Sequence, residues 1–217
     1  MISKNQHVLL IGASGLIGSH LLQQLIDNTD ISKITLLLRR ELPVKSPKVM
    51  QVTVDFSDYD SWMGYFKDID AVFCSIGTTR SKTPALAEYR KVDFDIPAQA
   101  ILAAEKNQVA KFMLVSSVGA ESNSKNFYLK IKGEVEAVLN QSNIPTRGIF
   151  QPSLLLGERK EKRFGEAVAR FIMPLFNFLV PMKYKAIKAK EVANAMIRAA
   201  QIQTEKNRVY LYKDMIA

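Results

Sequence analysis

Apolar residues fall along this chain in short unbroken runs, and stretches with helical spacing separate them. The runs are Val8–Ile11, Ile34–Leu38, Val49–Val54, Ala71–Ile76, Lys111–Ser116 and Thr146–Phe150. Continuous runs of this length, bounded by turn residues, are what strands buried on both faces look like. Between them, apolar positions recur at helical spacing to about Asp27, through a short segment at Ser57–Lys67, and over Tyr128–Asn140. A longer pattern covers Ala85–Asn107 and should break before Pro97, because proline lacks the N–H that a helix interior needs. Strand and helix in alternation predict an α/β fold, a doubly wound parallel sheet with helices on both faces. After Gln151 the texture changes. A loop at Gln151-Pro152-Ser153 leads to charged Arg159–Arg163, strongly apolar Phe164–Val180, a helix at Ala189–Gln201 and a last strand at Val209–Tyr212. No linker divides the chain, so residues 1–217 read as one domain, with 151–217 roofing the substrate side.

The first run ends in GASGLIG: Gly12, Ala13, Ser14, Gly15, Leu16, Ile17, Gly18. A strand, a glycine turn and then a helix is the context in which such a motif binds phosphate. Gly12 permits the tight turn, Gly15 lets backbone N–H groups approach a pyrophosphate, and Gly18 lets the helix pack closely. The positive end of the helix dipole then faces the anion. Ligands of open parallel sheets bind beyond the carboxyl ends of the strands. The other runs end there in Arg39 and Arg40, in Asp55 and Phe56, in Ser75-Ile76-Gly77-Thr78, and in Ser116 and Ser117. Five such ends converging are more specific than the glycines alone. No acid stands at the second strand end to hold a ribose 2′-OH, whereas Arg39 can pair with a 2′-phosphate. NADP(H) is therefore favoured over NAD(H); the bland alternative is that Arg39 and Arg40 are a solvated strand end. Asp55 and Phe56 are expected to meet the adenine through backbone, unless Asp55 is only a turn residue.

Composition narrows the picture. The 217 residues carry 30 Lys and Arg against 21 Asp and Glu, a net charge of +9. Apart from denser groups at Arg159–Arg163 and Lys183–Lys190 the basic residues are scattered, which points to solvated surface and an anionic cofactor rather than a nucleic-acid partner. One cysteine, Cys74, excludes an internal disulfide and suits a reducing compartment; within an apolar strand it reads as a buried structural thiol. Neither His7 nor His20 belongs to a ligand cluster, so no metal is expected. The N-terminus lacks an apolar signal region, and Phe171–Met182, with Pro174 and Pro181, is too short to span a bilayer. A cytoplasmic protein is expected. Phe171–Met182 reads as core or substrate lid before a homodimer patch or a shallow membrane contact. Trp62, Tyr59, Tyr65 and Phe66 read as packing.

Candidate chemistry lies in Tyr128-Leu-Lys-Ile-Lys132. Positions four apart share a helix face, so Lys132 and not Lys130 stands beside Tyr128. An ammonium next to a phenol favours the phenolate, making Tyr128 a general acid for a carbonyl oxygen or a base for an alcohol. Ser117 can give the same oxygen a second hydrogen bond. Lys130–Glu134 and Lys132–Glu136 are candidate ion pairs along that helix.

With GASGLIG, LLLRR at Leu36–Arg40, CSIGTTR at Cys74–Arg80, VSSVGA at Val115–Ala120, YLKIKGEVE at Tyr128–Glu136 and QPSLLLGERKEKR at Gln151–Arg163, nearly the whole chain resembles the atypical short-chain dehydrogenase/reductases of NAD(P)-binding Rossmann fold, within them the HTATIP2/TIP30-like group. The resemblance implies Tyr128, Lys132 and Ser117 as the catalytic set, with Ser116 as a second candidate. Lys132 would also hold the nicotinamide ribose. Gly77 and its neighbours would line the adenosine ribose, and Pro152 and Ser153 the nicotinamide. In two respects the chain departs from the family: Asp93 stands where many members have asparagine, and the Ser-to-Tyr spacing is short. The expected function is an NADP(H)-dependent oxidoreductase acting on a small carbonyl or alcohol. The alternatives are a non-catalytic NADP(H)-binding sensor or regulatory protein and, third, a nucleotide-sugar epimerase-like enzyme.

Overall fold

A computed structural model of the protein describes residues 5–79, 83–157 and 181–217. Seven strands form one sheet in the order β3-β2-β1-β4-β5-β6-β9, each hydrogen-bonded to its neighbours in parallel. They are β1 (Gln6–Ile11), β2 (Ile31–Leu38), β3 (Val49–Thr53), β4 (Ala71–Cys74), β5 (Lys111–Val115), β6 (Thr146–Phe150) and β9 (Asn207–Tyr210). Strand order reverses between β1 and β4, and that switch point opens a crevice at the carboxyl edge. A second ladder joins β7 (Leu155–Leu156) to β8 (Ile187–Lys188). Two-residue strands carry no periodicity, so neither could be read from the sequence.

Both faces of the sheet are covered, and this explains the unbroken apolar runs. Along β1, Val8 and Leu10 enter a core shared with α1 (Leu16–Asp27) and α6 (Ala189–Ile202). The alternate residues, Leu9 and Ile11, enter a core shared with α2 (Tyr59–Met63), α4 (Ile96–Lys106) and α5 (Phe127–Gln141). Thr35, a fully buried polar residue of β2, is paired: His7 Nε2 meets its hydroxyl at 2.8 Å. Trp62 is fully buried, edge-on to Phe56 and Tyr59 and tilted against Phe66, while Tyr65 is exposed. Trp62, Tyr59 and Phe66 are packing, as read from the sequence, and Tyr65 is not.

Several boundaries differ from expectation. The long helical pattern does not break at Pro97. α3 (Leu86–Arg90) runs into a π turn, Lys91–Asp95, and on into α4, with Ile96 N–H bonding to the Lys91 carbonyl five residues back. A proline ring collides with the carbonyl four residues earlier, here that of Asp93, and the widened turn relieves the collision without ending the helix. β4 stops at Cys74, leaving Ser75 and Ile76 in the loop. β9 ends at Tyr210, because the Leu211 N–H bonds to the Asp214 carboxylate at 3.0 Å and starts a short helix, α7 (Tyr212–Ile216). Within the segment read as a roof, β9 extends the sheet and α6 packs in its helical layer. Arg80, Arg159–Arg163, Phe164–Val180 and the Phe171–Val180 part of Phe171–Met182 lie outside the described residues; Pro181 and Met182 are exposed.

Candidate functional site

The glycine turn is shaped by close backbone contact. Gly12 has φ +92°, and a Cβ there would stand 2.6 Å from the Ile76 nitrogen. A Cβ on Gly18 would lie 2.0 Å from the Gly12 carbonyl oxygen, where no atom fits. The turn closes with Gly15 N–H donating to the Gly12 carbonyl at 2.9 Å. Ser75 Oγ reaches the Ile11 and Gly12 carbonyls at 3.3 and 3.5 Å, so the ends of β1 and β4 are stitched together. Gly15 is the N-cap of α1; no side chain caps the helix and no acid occupies its first turn. The first-turn N–H groups therefore keep their donor capacity and their positive end for an anion. Ala13 is buried, Ser14 is exposed, and Leu16 and Ile17 flank the turn. Gly12 and Gly18 let the turn pack tightly, and the uncapped helix start behind it is a donor set that suits a pyrophosphate.

Arg39 and Arg40 stand exposed at the end of β2, beside the glycine turn, without a hydrogen bond or ion pair among the described residues. Asp55 is exposed too, but its Oδ1 accepts from the Ser57 N–H at 2.9 Å and the Ser57 hydroxyl at 2.6 Å. These bonds hold its carboxyl below the ordinary carboxylate range. Asp55 is thus a turn-forming residue in the free protein, and Phe56 is buried against Trp62.

Across the switch point, the Thr78 N–H donates to Asp93 Oδ2 at 2.7 Å, and Lys132 Nζ stands 3.0 Å from Asp93 Oδ1. Asp93 is 1% exposed and the Lys132 side chain 8%. Burial pulls the Lys132 ammonium down, but the Asp93 carboxylate and Tyr128 more than offset it, and its pKa lies above the ordinary lysine value. Lys132 is held charged by the ion pair: Asp93 Oδ1 lies 3.0 Å from Nζ but accepts no hydrogen bond of good geometry among the described residues. A Cβ on Gly77 would come 3.6 Å from Lys132 Nζ, so glycine there leaves the ammonium uncovered on that side. The expected Lys132–Glu136 and Lys130–Glu134 pairs do not form. Lys132 turns to Asp93 on the π turn, and Glu134 meets Arg90 at 2.5 Å, a guanidinium also seated over Phe94. Neighbours on another helix outcompete partners along the same one.

Tyr128 lies in the first turn of α5, 38% exposed, where the Asn126 side chain caps the helix by accepting from the Tyr128 and Leu129 N–H groups at 3.0 and 3.2 Å. The two serines after β5 differ. Ser117 is half-buried and its hydroxyl makes one 3.5 Å contact, to the Val118 carbonyl. Ser116 is buried and its hydroxyl donates to the Glu136 carboxylate. Gln151 Nε2 donates to the same carboxylate, at 2.9 and 3.0 Å to the two oxygens. Beyond it, Pro152 accepts from the Val118 N–H at 3.0 Å and Ser153 Oγ donates to the Lys185 carbonyl. Glu136 was not among the candidate site residues. The signal was there: Tyr128, Lys132 and Glu136 are each four apart on one helix. Among the described residues no cluster of His, Cys, Asp and Glu suits a metal, and no helix is long and apolar enough to cross a membrane.

An all-parallel sheet with a glycine turn at its switch point defines a dinucleotide-binding Rossmann domain. Comparison with known proteins agrees: residues 12–202 match the model of the NAD(P)H-binding family, and the chain belongs to that family. Rat HTATIP2 is 36% identical over 170 residues, covering 77% of this chain and 70% of the relative. Emericella nidulans fmp52, whose name carries the word mitochondrial, is 32% identical over 171 residues, 76% of this chain and 73% of its own. Among solved structures, Bordetella bronchiseptica WbmH in complex with NAD+ has a TM-score of 0.75 at 18% identity, over 95% of this chain and 75% of that one. MoeE5, in complex with UDP-glucose and NAD, has a TM-score of 0.71 at 18% identity, over 94% and 74%. At that identity they share the fold.

Proposed function

We propose that the protein is an NADP(H)-dependent oxidoreductase that interconverts a small carbonyl compound and its alcohol. In this reading the N–H groups around Gly12–Gly18 hold the pyrophosphate and Arg39, with Arg40, holds the 2′-phosphate. Ser75–Thr78 flank the adenosine ribose, Lys132 holds the nicotinamide ribose, and Gln151–Ser153 border the nicotinamide. Reduced nicotinamide supplies a hydride when bound. Tyr128 gives its phenolic proton to the substrate oxygen as that oxygen gains charge, and Ser117 donates a hydrogen bond to the same oxygen. Lys132 contributes positive charge beside the phenolate left behind. Tyr128 is exposed enough to regain its proton from water. The observation that carries the reading is Lys132, buried and held charged by Asp93, one helical turn from Tyr128 at the sheet edge that bears the glycine turn.

A second reading, a non-catalytic NADP(H)-binding protein, is favoured by the same ion pair, since Asp93 takes up part of the charge that a tyrosine base would use. The two separate on Tyr128→Phe. Under the catalytic reading this variant binds NADPH with unchanged affinity by fluorescence titration, yet loses about 10²–10⁴-fold in NADPH oxidation over a panel of small aldehydes and ketones. Wild-type turnover in the variant removes Tyr128 from the mechanism, and no turnover in the wild type with intact binding favours the sensor. The cytoplasmic setting expected from the sequence is part of the proposal, and cell fractionation distinguishes it from the mitochondrial setting in the fungal relative's name.

A further inference from the structure

Glu136 is a half-buried carboxylate for which the proposed chemistry has no use, yet three elements meet on it. It projects from α5, the helix of Tyr128 and Lys132, and it receives the Ser116 hydroxyl from the end of β5 and the Gln151 amide from the end of β6. Those strand ends are themselves bonded, Ser116 N–H to the Phe150 carbonyl at 2.7 Å and Gln151 N–H to the Tyr210 carbonyl at 3.0 Å. The residues following each anchor are the ones with proposed roles: Ser117 after Ser116, Pro152 and Ser153 after Gln151. A carboxylate accepting from both strands fixes their spacing relative to the helix, as two apolar side chains would not, since hydrogen bonds to a charged group are short and directional.

We infer that Glu136 is a positioning residue, a clamp that holds the Ser117 hydroxyl and the Gln151–Ser153 loop in register with Tyr128 on α5. It acts through Ser116 and Gln151 and touches neither substrate nor cofactor. The charged groups around it are Glu121, from the loop after β5, and Lys132, one turn back on α5; the groups presented by β5 and β6 are the uncharged Ser116 and Gln151. Burial moves the Glu136 carboxyl above the ordinary carboxylate range, against the Ser116 and Gln151 hydrogen bonds.

The inference rests on the proposed function for what the clamp positions, but the clamp can be tested in the cofactor-free protein. Hydrogen exchange on Glu136→Ala should speed the Val118 and Gln151 amides by about tenfold or more, leaving the Gly15 and Ser19 amides of the glycine turn unchanged. Glu136→Gln, which keeps an acceptor for Ser116 and can pair with a flipped Gln151 amide, should restore slow exchange. Equal acceleration at both sites, no acceleration, or no rescue by glutamine overturns the clamp. In a second arm, NADPH bound to Glu136→Ala should lose most of the nicotinamide fluorescence enhancement seen in the wild type, with the dissociation constant within about threefold, because the phosphates are held elsewhere. Enhancement equal to wild type overturns the positioning role at the nicotinamide. A wild type that fails to bind NADPH removes the function reading, while the exchange arm still decides the clamp.

Discussion

At the glycine side of the cleft, atoms are placed by backbone: Gly12 sits on the Ile76 nitrogen, and Gly18 leaves room for the Gly12 carbonyl. At the tyrosine side, placement depends on side chains: Asp93 on the π turn takes the Thr78 N–H and faces Lys132 on α5, and Glu136 on α5 takes the Ser116 hydroxyl and the Gln151 amide. The first arrangement tolerates no added atom and contains no titratable group. The second is tunable, since each contact is a hydrogen bond or ion pair that one substitution can change. A binding wall of fixed shape facing a wall of adjustable charge lets one fold keep its cofactor while its chemistry varies.

The contrast is broken most severely by Gly18→Val. Its Cβ would overlap the Gly12 carbonyl, and neither backbone can retreat without parting α1 from the sheet. We expect a loss of roughly 4 kcal/mol or more in urea denaturation, or failure to fold, and wild-type stability would remove the close approach from the account. Next in size is Asp93→Ala, which leaves the Lys132 ammonium buried without its partner and should cost about 3–5 kcal/mol. The pH dependence has a definite sign. The folded-state value of Lys132 is raised, so its contribution is complete below the ordinary 10.5 and is lost as pH rises through the raised value. Urea curves on the two sides of pH 10.5 should thus converge for wild type and Asp93→Ala at the alkaline end. A gap that stays constant would mean that Asp93 stabilises through the Thr78 N–H alone. The smallest effect is at Arg39. Arg39→Ala should weaken NADPH binding about 10- to 100-fold and leave NADH within about twofold, as expected for loss of a charge-assisted contact at an exposed site. Equal losses for both cofactors would return Arg39 to the solvated surface.

Much of the architecture was legible because burial on both faces of a parallel strand forces an unbroken apolar run, and such runs are visible in β1, β2, β4 and β5. The glycine turn was legible for a similar reason, since only glycine satisfies its backbone demands. The boundaries that failed had local causes that apolar periodicity does not report. Pro97 looked like a helix end, but a π turn absorbs it; β9 stopped short because an Asp214 side chain caps the next helix. At Asp55 the carboxylate goes to Ser57, in keeping with the turn-residue alternative, while the expected adenine contact runs through backbone and is untouched by that bond.

The sequence by itself determined the alternation of strands and helices, the glycine cradle and the pairing of Tyr128 with Lys132 on one face, because each follows from local geometry and the period of an element. Tertiary structure alone decided which acid partners that lysine. Glu136 is the local candidate, one turn along the same helix, yet the partner is Asp93, 39 positions away in the chain. The physical reason is burial: an ammonium taken out of water is stable only against a carboxylate that the fold brings close, and the π turn Lys91–Asp95 carries Asp93 there.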